Sequence, residues 1–336
     1  MENPMKKHSK FLFPVVAAIL LLTLCSQQGV QDVAITVAQV DTHIKYLSSD
    51  ELKGRGSFSE DIRMAEDYIA RQFGNAGLKT FEQFPDYRHE FTYLWKNRRE
   101  PDTPAKEVKL TNIVGYIEGT DPQLKNEFVV FGAHHDHIGI IGSGEDNIYN
   151  GAEDNASGTT AVITLAQYYA KTGGNKRSIM FITFAAEEVG MIGSRQFIKD
   201  LPVEKDRIVA MINFEMIGKP SEDGRTVCYM TGWDRSDLAP IIQNALGNDS
   251  LILIQGPEVT DRLFFASDNI SFAMAGMVAH TLAGIRSTND SLAHKPDDEY
   301  ETLNIKSMTN VIRGVTCGAR TLISGEETPK LLKPIK

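Results

Sequence analysis

Short apolar runs alternate with helix-like stretches from Asn112 towards the C-terminal end of this chain. The apolar runs have the length of strands and lie at residues 113–117, 128–132, 179–184, 208–214, 227–230, 251–254 and 277–282. Helix-like stretches separate several of them, at residues 158–170, 193–199, 238–246 and 303–322. Strands that are apolar throughout are buried on both faces, and an intervening helix lets two strands run in the same direction. The pattern therefore predicts an α/β domain with a mixed, mostly parallel central sheet and helices on both faces.

The segment before this alternating part predicts two helices. Apolar residues recur there at helical spacing in two groups, Val37, Val40, Ile44 and Leu47, then Ile62, Ala65, Ile69 and Phe73. Residues 80–104 are polar and aromatic, with a charge cluster at residues 96–100, and predict a solvated loop. We expect one catalytic domain over residues 33–325 and a C-terminal tail over residues 326–336.

The N-terminal residues have the layout of a signal peptide. Three lysines precede an apolar run at residues 11–24, which is too short to span a bilayer comfortably. We therefore set residues 1–25 apart from the fold and expect export to the periplasm, the cell envelope or the medium. Cys25 ends a sequence similar to a lipoprotein cleavage box, although Leu24 stands where a small residue is usual. Membrane attachment through a lipidated Cys25 and simple secretion both stay open.

The charge of the chain and its cysteine content exclude two further features, nucleic-acid binding and a disulfide framework. The net charge of -9 and the lack of a basic, aromatic stripe argue against nucleic-acid binding. Cys228 and Cys317 are too few for a disulfide framework. Two buried thiols are the expected interpretation.

Ligand sites in predominantly parallel sheets lie beyond the carboxyl ends of the strands. Five short acidic or histidine-bearing segments lie there or in loops, at residues 133–137, 151–155, 185–188, 213–215 and 294–297. Four of the five follow a strand-like run. Carboxylate oxygens combined with imidazole suit zinc, and less specifically manganese or cobalt. The placement predicts a hydrolase that activates water between two metal ions.

The first two segments each allow two interpretations. Because a strand end presents alternate residues on one side, His134 can bind a metal while Asp136 orients its imidazole and His135 points away. The alternative is a polar strand end with histidines bonded to the backbone. In the second segment Asp154, or Glu153, could bridge two cations, since a carboxylate has two oxygens. The alternative is capping of the following helix by Asp154 or by nearby polar residues, Asn155 and Ser157.

The other segments add carboxylates and an imidazole. Glu187 and Glu188 follow a buried-looking strand and point in different directions, so that one can bind metal while the other contacts water as a general base. Glu215 ends an apolar run, where an unpaired carboxylate would be costly. His294 lies in a loop.

Several motifs occur in the order found in one enzyme family: Leu52-Lys53-Gly54-Arg55-Gly56, Tyr149-Asn150-Gly151-Ala152, Asp154-Asn155-Ala156-Ser157-Gly158, Ala186-Glu187-Glu188-Val189-Gly190, Ser267-Asp268 and His294-Lys295-Pro296. From about residue 40 to 323 the chain resembles the bacterial leucyl-aminopeptidase-type family of co-catalytic zinc exopeptidases. Glutamate carboxypeptidase II, the transferrin receptor ectodomain and glutaminyl cyclases are relatives of that family.

The resemblance implies a role for each candidate: His134 and Glu188 each bind one metal ion, Asp154 bridges the two, Glu215 and His294 complete the ligand sets, and Glu187 is the general base. It implies a zinc-exopeptidase fold and a cis peptide bond after Asp154. His137 and His280 match no ligand position and are predicted to be structural.

The implied function is that of an exported zinc aminopeptidase, in which Glu187 activates a water shared by two zinc ions to attack a peptide bond. Two alternatives stay open, a glutaminyl cyclase-like acyltransferase with one working zinc and a non-catalytic binding domain like the receptor relative. Three positions depart from the family pattern. Glu215 replaces a usual Asp, Ala293 stands where Tyr is common, and Asn269 where His is frequent.

Overall fold

An eight-stranded mixed sheet lies at the centre of the protein. The computed structural model describes residues 34–96, 102–257 and 262–335. The strands of this sheet are β1 (Arg88–Trp95), β2 (Lys106–Ile117), β3 (Phe128–His134), β6 (Ser178–Phe184), β7 (Ile208–Glu215), β8 (Val227–Met230), β9 (Ile252–Gln255) and β10 (Ala279–Gly284), and β4 (Gly139–Ile140) and β5 (Ile148–Tyr149) form a separate small hairpin. Their order across the large sheet is β1-β2-β6-β3-β7-β10-β8-β9.

The four strands β6, β3, β7 and β10 are neighbours and run parallel. On one side of them β2 is antiparallel to β6 and to the edge strand β1, and on the other β8 is antiparallel to β10 and parallel to β9. Both β3 and β6 are buried along their whole length. The predicted mixed, mostly parallel sheet is confirmed, and the carboxyl ends of its four central strands meet at one edge.

Helices cover both faces of the sheet. They are α1 (Val37–Leu47), α2 (Ile62–Ala76), α3 (Ser157–Thr172), α4 (Ile192–Lys199), α5 (Leu238–Leu246), α6 (Asn269–Met274), α7 (Ile305–Gly318) and α8 (Arg320–Ile323). Successive strand residues point to opposite faces. Accordingly Phe131 packs in a core cluster with Val162 of α3, whereas its neighbour Val130 packs in another with Phe197 of α4 and Phe272 of α6.

The prediction of a solvated loop at residues 80–104 is wrong. It contains β1, which pairs antiparallel with β2 from Arg88 opposite Ile113 to Trp95 opposite Lys106. This edge strand is largely solvent-accessible, so its sequence carries no apolar run that could announce it. Most of the charge cluster at residues 96–100 lies outside the described residues.

The cysteines and the two ends of the chain remain to be described. Cys228 is a buried free thiol and Cys317 a half-buried one. Over the described ranges no helix has the length and apolar character needed to cross a membrane. The predicted signal peptide and Cys25 lie outside the described residues. In the predicted C-terminal tail, the carbonyl of Glu327 accepts a hydrogen bond from Arg177.

Candidate metal centre

The predicted ligands reach one edge of the sheet from different elements. His134 is the last residue of β3 and Glu215 the last of β7, while Glu188 lies four residues beyond the end of β6. Asp154 lies in a π-helical turn, Ala152–Ala156, that leads into α3, and His294 lies in the loop between β10 and α7. The parallel central strands thus bring together residues that are far apart in sequence.

Asp154 lies between two groups of side chains. Its Oδ1 is 3.4 Å from His134 Nε2, and its Oδ2 is 3.1 Å from His294 Nε2. Glu215 Oε1 is 3.4 Å from the same nitrogen of His134, and Glu188 Oε2 is 3.1 Å from the same nitrogen of His294. We call the first group (His134, Glu215 and Asp154 Oδ1) the His134 half-site and the second (His294, Glu188 and Asp154 Oδ2) the His294 half-site.

The donor chemistry fits divalent cations. Three carboxylates, of Asp154, Glu188 and Glu215, are at most 16% exposed and crowd around two imidazoles. Like charges at such depth are costly unless cations compensate them. Among the described residues, the ligand atoms of His134, Asp154 and Glu215 lie within 4.8 Å of one another, as do those of His137, Asp154 and Glu188. Imidazole and carboxylate in these sets are the ligands that zinc takes.

The structure brings His137, which the sequence assigns to a structural role, into this centre. Its Nδ1 is 2.8 Å from Glu188 Oε1 and 3.9 Å from Asp154 Oδ2. Its Nε2 is buried and has no hydrogen-bond partner among the described side chains and backbone. The residue lies beyond the end of β3, where the chain bridges to Gly56. Strand alternation no longer holds there, so the rule that selects His134 and Asp136 could not select His137.

Asp136 holds the base candidate as well as the first ligand. Its Oδ1 accepts the backbone N–H of Glu187 at 3.0 Å, and its Oδ2 accepts the hydroxyl of Ser57 at 2.5 Å. His134 Nδ1 lies 3.1 Å from the carbonyl oxygen of Asp136 and 3.6 Å from its carboxylate. The backbone carbonyl is therefore the closer acceptor for this imidazole.

Glu187 has a carboxyl group suited to holding a proton. Burial raises its pKa well above the ordinary value, the charges of Asp268 and Glu215 add to that effect, and the charge of His134 opposes it. A cation nearby would favour the ionised form, which is the form a base needs.

In the turn before α3, the side chain of Asn155 bonds to the first turn of the helix. Asn155, not Asp154, contacts the first turn: its Oδ1 accepts the N–H of Gly158 at 2.9 Å, while its amide donates to the carbonyl of Phe214 at 2.8 Å. Glu153 turns away and accepts the N–H of Gly218 at 2.8 Å. The carboxylate of Asp154 is thereby left to face both half-sites, and the peptide bond after it is cis, as the resemblance implies.

Arg55 explains the Leu-Lys-Gly-Arg-Gly motif. Its buried guanidinium donates to the carbonyl of His135 at 2.9 Å, of Asn150 at 2.6 Å and of Gly151 at 2.9 Å. Burial lowers the pKa of this group to about 10, and nearby carboxylates, led by Asp154, oppose the shift. Arg55 therefore stays charged near neutral pH and joins the end of β3 to the turn that carries Asp154.

Two other histidines lie outside the centre. His135 Nδ1 is 3.1 Å from the hydroxyl of Thr183. His280 is hydrogen-bonded through Nδ1 to the carbonyl of Thr231 and through Nε2 to the hydroxyl of Ser236. Both are buried, and these contacts agree with a structural role.

Zinc binding by the metal-free protein is expected to release a proton from His294. Hydrogen bonds that the imidazole donates to the carboxylates of Asp154 and Glu188 raise its pKa to about 11, and the proton must leave before the nitrogen can bind zinc. Near neutral pH the wild type should release about one proton more than His294→Ala, and its apparent zinc affinity should rise with pH. Calorimetry in buffers of different ionisation enthalpy measures the difference. Equal proton release by both proteins would contradict this expectation.

The chain is similar to known proteins in sequence and in fold. Aminopeptidase YwaD of Bacillus subtilis is 29% identical over 195 residues, which are 54% of this chain but only 40% of that protein. The crystal structure of BSAP, a zinc aminopeptidase from Bacillus subtilis, superposes with a TM-score of 0.65 at 17% identity, over 89% of this chain and 98% of that one. Porphyromonas gingivalis glutaminyl cyclase superposes with a TM-score of 0.64 at 15% identity, over 87% of this chain and 100% of that one. At these identities the two structures show the fold.

The family follows from a longer match. Residues 112–316, more than half of the chain, match the description "Peptidase family M28". That range includes both half-sites, Asp136 and Glu187. The chain therefore belongs to peptidase family M28.

Proposed function

We propose that this chain is a zinc-dependent exopeptidase that removes N-terminal residues from peptides. The observation that carries the proposal is the position of Asp154, whose two carboxylate oxygens face two different groups of zinc-type ligands. The aminopeptidase relative supports release from the N-terminus. The His134 half-site and the His294 half-site would each hold one zinc ion, with Asp154 shared between them.

We assign the proton transfers of the proposed reaction to Glu187. Zinc ions bound there would acidify water and polarise the carbonyl of the scissile bond. Glu187 is half-buried beside His134, and its backbone N–H is bound by the carboxylate of Asp136. Its carboxylate takes the proton of the attacking water and returns that proton to the leaving amine.

Removal of zinc is expected to abolish hydrolysis. A chelator should lower the rate by about 10³-fold or more, because several kcal/mol of transition-state stabilisation would be lost, and added zinc should restore it. The substrate is a peptide library read by mass spectrometry, in which successive loss of N-terminal residues is the expected pattern. Loss from the C-terminus would replace aminopeptidase by carboxypeptidase. A wild-type protein that binds less than one equivalent of zinc would favour a binding-only domain.

A glutaminyl cyclase-like acyltransferase is the second candidate. It is favoured by Ala293, which stands where Tyr is common in aminopeptidases. The Porphyromonas gingivalis glutaminyl cyclase has the same fold, so the fold is compatible with either activity. Peptides with N-terminal glutamine in the same library separate the two activities. A cyclase would leave pyroglutamate at the N-terminus, whereas an aminopeptidase would release glutamine.

A further inference from the structure

The loop that carries His294 has no strand or helix to fix it. His294 lies in the left-handed region, with a φ of 56°, and its side chain is 57% exposed. Asp290 and Asp298 lie four residues before and four residues after it. Both carboxylates face one ammonium group: Lys219 Nζ is 2.5 Å from Asp290 Oδ2 and 3.9 Å from Asp298 Oδ1. A single lysine therefore joins the two ends of residues 290–298, which we call the His294 loop.

These charges are withdrawn from water. The side chain of Lys219 is 13% exposed, that of Asp290 6% and that of Asp298 fully buried. Moving one of these side chains away would leave a buried charge without its partner, which is costly. The three side chains are therefore held in place. Lys219 lies four residues after Glu215, which belongs to the other half-site. The lysine thus fixes the His294 loop relative to the end of β7.

Asp298 also holds the turn that carries the shared carboxylate. Its Oδ1 and Oδ2 accept the backbone N–H of Glu153 at 3.0 and 3.1 Å, and its Oδ2 accepts that of Asp154 at 3.1 Å. Its own carbonyl accepts the N–H of Ala152 at 3.0 Å. Three consecutive amides of the turn are therefore bound to one residue of the His294 loop.

We propose that Lys219 and Asp298 are positioning residues that set the zinc affinity of the His294 half-site, by holding the His294 loop and the Asp154 turn at a fixed separation. The inference rests on the proposed function, because it assumes that zinc binds there. Lys219 contacts Asp290 and Asp298, and the carboxylate of Asp298 contacts Lys219 and the backbone of the Asp154 turn, so both residues act through backbone and loop position. Groups that orient metal ligands commonly change metal affinity when they are removed.

The test measures zinc affinity on the full-length protein by competition with a chromogenic chelator, together with the melting temperature of the metal-free form. Lys219→Met should weaken binding of one zinc ion by about 10–100-fold, while Lys219→Arg, which keeps the charge, should recover part of that affinity. Arg177→Met is the matched control. Arg177 is also a buried cation, 2.7 Å from Glu127, but it lies before the start of β6, at the opposite end of the strand from the metal centre.

The results separate positioning from general stability. A Lys219→Met protein that binds zinc like the wild type, while its melting temperature falls as in Arg177→Met, would overturn the positioning role. If Lys219→Met does not fold, Asp290→Asn and Asp298→Asn are measured instead, with the same loss of zinc affinity expected. Wild-type protein that binds no zinc would overturn the proposed function and this inference together. Wild type that binds zinc alongside unaffected variants would overturn this inference alone.

Discussion

Glu187→Ala is expected to reduce peptide hydrolysis by about 10³-fold and to leave the zinc content at the wild-type value. Neither half-site needs the carboxyl group of Glu187 as a ligand, since each already contains an imidazole and a carboxylate besides Asp154. Ligand-type atoms of His134, Glu187 and Glu188 nevertheless lie within 4.8 Å of one another, so the measurement must distinguish a base from a ligand.

Zinc analysis beside steady-state kinetics makes that distinction. Glu188→Ala is the matched control, because it removes a neighbouring carboxylate that belongs to the His294 half-site and should therefore cost zinc as well as activity. Glu187→Gln keeps the size of the side chain and removes only its basicity. Turnover at the wild-type rate would take Glu187 out of the base role, and loss of zinc from Glu187→Gln would make it a ligand.

Asp154→Ala is expected to weaken the binding of both zinc ions, each by more than about 100-fold, which exceeds the usual effect of losing an outer group. The reason is geometric: one oxygen of Asp154 faces His134 and the other faces His294. Glu215→Ala and His294→Ala each remove a ligand from a single half-site. At a free zinc concentration where these two variants retain one ion, Asp154→Ala should retain none.

The comparison of the three variants is made by equilibrium dialysis against buffered zinc. Circular dichroism of the metal-free proteins checks that each variant keeps the fold. An Asp154→Ala protein that still holds one zinc ion would show that the carboxylate serves one half-site only. In that case the second ion would need another shared ligand. Glu188 would be the next to replace, because its ligand atoms lie within 4.8 Å of those of His134 as well as of those of His137.

The central strands could be predicted because a strand that is buried on both faces has apolar or small residues at nearly every position. β3 and β6 are apolar or small almost throughout, and their ends are visible where polar residues begin. β1 could not be predicted in this way. An edge strand pairs on one side only and meets solvent, so its residues follow no apolar pattern, and its place in the sheet depends on β2.

The residues of the candidate site likewise fall into those that the strand pattern predicts and those that it does not. His134, Glu188 and Glu215 could be proposed because each follows or ends an apolar run, so that strand direction alone brings them together. His137 lies three residues beyond the end of β3, outside the strand, where the spacing of residues carries no information about facing. Lys219 and Asp298 meet across a long stretch of sequence, and nothing in the local pattern of either segment indicates the other.

If both half-sites hold zinc, a carboxylate shared between them would make their occupancies interdependent. An ion bound beside His134 would fix the orientation of Asp154, and with it the oxygen offered to a second ion. The second ion, in turn, would meet the charge of the first. Whichever effect is larger, thermodynamic linkage requires that each ion change the affinity of the other by the same factor. A two-zinc protein of this kind would respond to a falling zinc concentration as a coupled pair of equilibria, and its active fraction would be set by their cooperativity as much as by either affinity.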